Sequence, residues 1–204
     1  MWMIETPAFV PFFIGALIAA FTRGNIRSAI MLAVPIVSAL HLWLLPESIH
    51  LQFLFFDYQL SPYRVDKLSL MFGYVFHIAA LIGIIYSLHL RDTLQHVSAM
   101  LYAGSGLGAV FAGDLLTLFI FWELLAFTSV FLIWARRTQR AYIAGMRYLI
   151  IQVLSGLILL TGTLFYAADN NTLAFGYIGL DSVAGWLIFI AFGIKCAFPF
   201  AHNW

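Results

Sequence analysis

Residues Gly113 to Ala135 read GDLLTLFIFWELLAFTSVFLIWA, and a single carboxylate, Glu123, stands near the middle of a run otherwise suited to lipid. Leu115 to Ala135 holds no other ionisable group. At about 1.5 Å rise per residue it is long enough to cross a hydrocarbon core of about 30 Å. A charge at that depth costs roughly 2.5–3.5 kcal/mol on insertion scales and more by simulation, so such a group is paired, hydrated in a cavity, or protonated. The candidate partner is Lys195, which is the only lysine or arginine in the last apolar span.

The rest of the chain has the same character. Over 204 residues, 63% are hydrophobic and 9% charged, with a mean hydropathy of +0.97. That composition belongs to an all-α, polytopic membrane helix bundle and excludes a soluble globular domain. A net charge of +1 and the lack of a basic run interleaved with aromatics point away from nucleic acid. One cysteine, Cys196, rules out a disulfide within the chain; a lone thiol in an apolar span is ordinarily packing. The first apolar run follows Glu5 and not a positive leader, so it does not resemble a cleavable signal.

Charge-free windows predict seven spans, at 6–22, 28–46, 68–90, 93–113, 115–135, 141–168 and 182–204, the sixth interrupted by Arg147 and the seventh by Lys195. Breakers and charges mark the boundaries: Arg23-Gly24-Asn25, Pro46-Glu47, Arg91-Asp92, Gly113-Asp114 and the run Arg136 to Arg140. The first span is short and carries Pro7 and Pro11. Pro199 follows Lys195 and must break or kink the seventh. Between Pro46 and Asp66 lies an aromatic connection with Phe53, Phe55, Phe56, Tyr58 and Tyr63, expected along the membrane interface as a short hairpin. Gly104 and Gly108 have the spacing of a close helix contact. Arg23, Arg27, Arg91, Arg136, Arg137 and Arg140 fall in alternate loops, against Arg64 and Lys67 on the other side. The positive-inside rule then places the N-terminus outside, with Glu123 about 12 Å and Lys195 about 20 Å below the outer ends of their helices.

Broken helix at membrane depth is tolerated where it is buried in protein or lines a water-filled cavity. A lysine there, facing an intramembrane acid, suits proton handling; the plainer alternatives are a structural ion pair, or a protonated Glu123 acting as helix glue. At an effective dielectric near 20, moving a carboxylate from about 4 to about 8 Å from an ammonium weakens their attraction by roughly 2 kcal/mol. Small movements of Glu123 would therefore load and unload Lys195. Arg147 offers Glu123 a second partner or snorkels to the interface. His77 and His202 are candidate proton relays, or hydrogen-bonded core histidines. Metal-ligand spacing, a phosphate loop and a nucleophile with its base are all missing from the sequence, so neither a cofactor nor a hydrolytic site is expected.

The segments YAGSGLGAVFAGDLLTLFIFWELLAFTSVFLIWA, AGMRYLIIQVLSGLILLTGTLFY and FGIKCAFPFAHNW, with VDKLSLMFGYVF before them, resemble the antiporter-like membrane subunits shared by Mrp-type sodium/proton antiporters and respiratory complex I, the NADH-quinone oxidoreductase. Within that superfamily the D-type Mrp subunits look most similar, from about Val65 onward. The resemblance implies that Glu123 and Lys195 are the carboxylate and lysine of the proton path, with Arg147 at the basic position of the sixth helix. It implies a fold of about fourteen helices with two inverted repeats, of which this chain would be an N-terminal fragment: residues 1–92 peripheral helices, residues 93–204 an incomplete first repeat. Pro199 stands four residues after Lys195, one fewer than in many relatives. The implied function is that of a monovalent cation/proton antiporter subunit in a bacterial inner membrane, its partners being other membrane subunits, the lipid bilayer, protons, and sodium or potassium. One alternative is a proton-pumping subunit of a complex I-like or hydrogenase-like redox complex. A retinal-binding seven-helix protein is the other, although it would want an uninterrupted seventh helix and an acid in the third, where His77 stands.

Overall fold

In the computed structural model, which describes residues 6–199, the apolar windows become seven helices: α1 (Val10–Phe21), α2 (Gly24–Trp43), α3 (Lys67–Ser87), α4 (Thr93–Val110), α5 (Leu115–Trp134), α6 (Gln139–Asn170) and α7 (Val183–Lys195). Between α2 and α3 the aromatic connection forms the expected hairpin, β1 (Ser48–Phe55) paired antiparallel with β2 (Tyr58–Val65). By length and composition α2, α3, α5 and α6 are each able to cross a membrane, while α1 and α7 are shorter apolar helices. The chain is a multi-pass membrane protein.

Polar residues set the helix starts. Asp66, Asp92, Asp114, Thr138 and Ser182 each accept a hydrogen bond from a backbone N–H in the first turn of the helix they precede, satisfying donors that lipid cannot. At Asp66 the exchange is reciprocal, since Ser69 Oγ also accepts from the Asp66 backbone at 2.8 Å. Arg27, buried in α2, donates through its guanidinium to the carbonyl of Thr22, the residue that ends α1. A cation there also suits the negative end of the helix dipole.

Two cores divide the bundle. Phe12, Met31, Leu42, Tyr63, Met100, Leu107 and Phe111 join α1 to α4 with the hairpin, whereas Leu115, Trp122, Leu159, Tyr166, Ile188 and Ala191 join α5, α6 and α7. Lipid tails are as apolar as these side chains, so close fit and hydrogen bonds hold the helices together. Gly104 meets Phe12 of α1 and Gly108 meets the Phe121 ring of α5; the small residues of α4 thus serve two partners. Fully buried Tyr63 pins the hairpin to Phe9 and Phe111. Burial pushes its hydroxyl up to about 12, against a smaller opposite pull from the Ala8 backbone.

The two ends of the bundle are tied separately. At one, Arg137 of the α5–α6 loop pairs with Asp92 at 3.0 Å, bringing together loops that carry the basic residues. At the other, Asp114 is 1% exposed and accepts from Ser61 N–H at 2.7 Å, Thr117 N–H at 2.7 Å and Thr117 O–H at 2.8 Å. Leu115 N–H donates to Leu173 O at 2.9 Å beside it, so the hairpin, the α4–α5 loop and the α6–α7 loop form one cap.

Candidate functional site

Helix α7 stops at Lys195, four residues before Pro199, and the way it stops builds the site. Ala197 takes a left-handed φ of 56°. Phe198 N–H reaches back to Gly193 O at 2.9 Å and Ala197 N–H to Ile194 O at 3.2 Å. This is a Schellman termination. Its usual glycine is replaced by alanine, and the Phe198 ring lies on Gly193, where a Cβ would come within 2.6 Å. The predicted break near Pro199 therefore begins at Lys195 itself, and the seventh helix is not the uninterrupted one that a retinal-binding protein would want.

Half-buried Lys195 reaches across to α5. Its Nζ donates to Trp122 O at 3.2 Å and stands 4.8 Å from the centre of the Trp122 ring, an arrangement that lets the ring face stabilise the ammonium. Trp122 precedes Glu123, so the amine and the carboxylate arrive at neighbouring residues, close enough to interact electrostatically. They do not form an ion pair: the ion pairs among the described residues are Arg64–Asp66 and Arg137–Asp92. Glu123 turns instead toward α6, where its Oε1 lies 1.5 Å from the point a Cβ on Gly156 would occupy. That oxygen is buried and has no hydrogen-bond partner among the described residues.

The neighbouring contacts fix how α5 and α6 run past each other. Trp122 Nε1 donates to Ser155 Oγ at 3.3 Å, and Ser155 Oγ donates to Ala191 O of α7 at 3.2 Å. Ser129 Oγ and Tyr148 Oη are 2.6 Å apart. Trp134 covers Gly145. Glu123 is thus level with Gly156, Ser129 with Tyr148 and Trp134 with Gly145, an antiparallel register that carries the site toward the α5–α6 loop.

The other candidates lie apart. Arg147 is exposed on α6, more than two turns from Gly156, and has no ion pair among the described residues. His77 is 2% exposed in the other core. Its Nε2 is 2.8 Å from Ser38 Oγ, its Nδ1 2.7 Å from Gly73 O, and its ring meets Phe12 edge-on. That is the hydrogen-bonded core histidine the sequence also allowed. His202 lies outside the described residues. Gly156, Ser155 and the Trp122 carbonyl were not singled out from the sequence; a Ser-Gly pair within an apolar span was the available signal.

Seven helices thus bring a carboxylate and a lysine to neighbouring residues of α5, the lysine at a helix break. Residues 112–204 match the family described as NADH:quinone oxidoreductase/Mrp antiporter, transmembrane. The chain is 28% identical over 200 residues to the putative antiporter subunit mnhA2 of Staphylococcus haemolyticus (strain JCSC1435), covering 85% of this chain and 25% of that protein. It is 29% identical over 120 residues to the Na(+)/H(+) antiporter subunit A1 of Staphylococcus aureus (strain Newman), covering 56% of this chain and 15% of that protein. In fold it is similar to a chain of respiratory complex I from Thermus thermophilus, with a TM-score of 0.79 at 18% identity over 97% of this chain and 45% of that one. A chain of the membrane-bound sulfane sulfur reductase, an archaeal respiratory membrane complex, gives 0.77 at 13% identity over 95% and 45%. The chain fits an antiporter-like membrane subunit of the kind shared by Mrp antiporters and complex I. It spans about a quarter of the length of the first of these relatives. Both relatives are A-type subunits, so the D-type likeness of the motifs does not extend to them.

Proposed function

We propose that this chain is part of a membrane subunit of a monovalent cation/proton antiporter, and that protons cross it by way of Glu123 and Lys195. Residues 93–204 would supply part of the first inverted repeat and residues 1–92 peripheral helices. The assembly would lie in a bacterial inner membrane with the N-terminus outside and other membrane subunits as partners.

The observation that carries this reading is the position of Lys195: a cation at the broken end of α7, held on the carbonyl and ring of the residue next to Glu123 and yet not in contact with the carboxylate. A closed ion pair would be a structural brace. An open one has a step left to take. The dipole of α7 stabilises the ammonium at the helix end, and Trp122 offers it a resting place. If Lys195 moves onto Glu123, their attraction strengthens as the gap closes, and moving back gives the proton a reason to leave. A proton-pumping role in a redox complex would use the same pair, and the fold likeness to complex I favours keeping it as the second reading.

The test is proton movement by the assembled transporter in proteoliposomes. Lys195→Ala is expected to lower it sharply while assembly and expression persist; wild-type movement in that variant would overturn the proposal.

A further inference from the structure

We infer that the groove between α3 and α4 holds one acyl chain of an anionic phospholipid, whose phosphate sits over Arg136 and Arg140. Neither Glu123 nor Lys195 lines the groove, and its occupancy does not depend on their role.

Small side chains ordinarily draw membrane helices together, but between α3 and α4 they face a gap. Ala79 and Gly83 of α3 and Ala99 and Ala103 of α4 line a cavity of about 430 Å³, with Leu132 of α5 at its edge. The two members of each pair are four residues apart, so they share a helix face. A Cβ added at Gly83 would meet nothing within 4 Å. A second cavity of about 320 Å³ adjoins the first through Phe76, Tyr102 and Ala103 and continues to Ala109 and Leu125. From Gln95 to Ala109 the groove follows α4 for about 21 Å, against roughly 15 Å of hydrocarbon in one leaflet.

The walls decide what fills it. Two polar groups at its loop end already have partners: Ser87 Oγ donates to Ile84 O at 3.0 Å and His96 Nε2 donates to Leu90 O at 3.0 Å. Water inside would find too few partners, and an empty groove would forfeit dispersion contacts along both helices. An unbranched hydrocarbon chain restores those contacts and asks for no hydrogen bond.

Charge at the mouth selects the head. Leu132 also borders an open basin of about 660 Å³ lined by Arg136, Thr138 and Arg140, so groove and basin meet at one residue of α5. No acid lines either of them among the described residues. Asp92, in the α3–α4 loop, is paired with Arg137 at 3.0 Å, whereas Arg136 and Arg140 are exposed and have no ion pair among the described residues. Two such guanidiniums suit a lipid phosphate, which accepts their forked, charge-assisted hydrogen bonds. A zwitterionic head brings its own cation to the same place and gains less.

The test uses the assembled transporter containing the full chain, in nanodiscs of phosphatidylcholine with a small share of phosphatidylglycerol that carries a diazirine in its acyl chain. Mass spectrometry after illumination locates the label. It is expected on the peptides that hold Ala79 to Gly83 and Ala99 to Ala103, and phosphatidylcholine with the same diazirine chain should label them at least about fivefold less. Arg136→Gln and Arg140→Gln should each lower labelling by about fivefold, as one basic residue at an anionic surface is worth, and Arg136→Lys should keep most of it. Gly83→Phe puts a ring into open space and should abolish the label; the arginine variants, on exposed positions, decide the matter if it does not assemble. Equal labelling by the two lipids, labelling that survives both arginine variants, or no label on these peptides overturns the site. So does a photoreactive benzoylphenylalanine in place of Gly83 that captures a protein segment, whether from another subunit or from a second copy.

Discussion

Replacing Gly156 by alanine is the sharpest structural probe of the site. The new Cβ would fall 1.5 Å from Glu123 Oε1 and 2.7 Å from its Cδ, where ordinary contact begins at 3.4 Å, so the carboxylate must withdraw by about 2 Å or the helices must part. Two effects on stability oppose each other. Alanine favours helix over glycine by about 1 kcal/mol, while overpacking costs about 1–3 kcal/mol. The net change in thermal stability is expected to be small, within about 2 kcal/mol. The effect on the pair is larger in consequence. At an effective dielectric near 20, a 2 Å withdrawal from about 5 to about 7 Å changes the Glu123–Lys195 attraction by about 1 kcal/mol, or about fivefold in the proton equilibrium they share. Proton movement measured in proteoliposomes should fall by about that factor or more, with the protein still assembled. Wild-type movement in Gly156→Ala would refute the claim that the carboxylate is held against α6.

Three further outcomes follow from the same geometry. Asp66 is held below the usual carboxylate range, first by the Ser69 N–H it accepts and then by Arg64. Its capping contribution, about 1 kcal/mol, should therefore be present above about pH 4 and lost as pH falls through the depressed value; thermal unfolding in detergent should show that acid loss, and Asp66→Ala should remove it. Asp114→Ala deletes three hydrogen bonds to a buried carboxylate and is expected to lower stability by about 3 kcal/mol or more, with loss of protease protection in the hairpin as the readout. Ala197→Gly should stabilise the α7 terminus by about 1 kcal/mol, because the left-handed φ of 56° suits glycine; a decrease in thermal stability would contradict the Schellman assignment.

Much of this was legible in the sequence because lipid allows few solutions. Charge-free windows bounded by Arg23-Gly24, Arg91-Asp92 and Gly113-Asp114 located the helices, and aromatic residues between Pro46 and Asp66 located the hairpin. What escaped was long-range. Asp114 looked like a boundary marker, yet its carboxylate joins the hairpin to α5 through Ser61, 53 residues away in sequence. Pro199 looked like the breaker, yet α7 ends at Lys195 because alanine at 197 adopts a conformation that sequence assigns to glycine. Glu123 and Lys195 stood out in the sequence by the cost of burying charge. Gly156 carries no charge, and only the register of α5 against α6 places it against Glu123. Arg147 was assigned by position in the chain, but a helix has an outer face, and Arg147 is on it.

The central claim is that Glu123 and Lys195 act as one unit, and a double-mutant cycle on proton movement tests it most directly. Glu123→Gln, Lys195→Ala and the double variant are compared in the same assembled transporter. If the two work together, the double variant is no worse than either single one. Independent, additive losses would contradict the account.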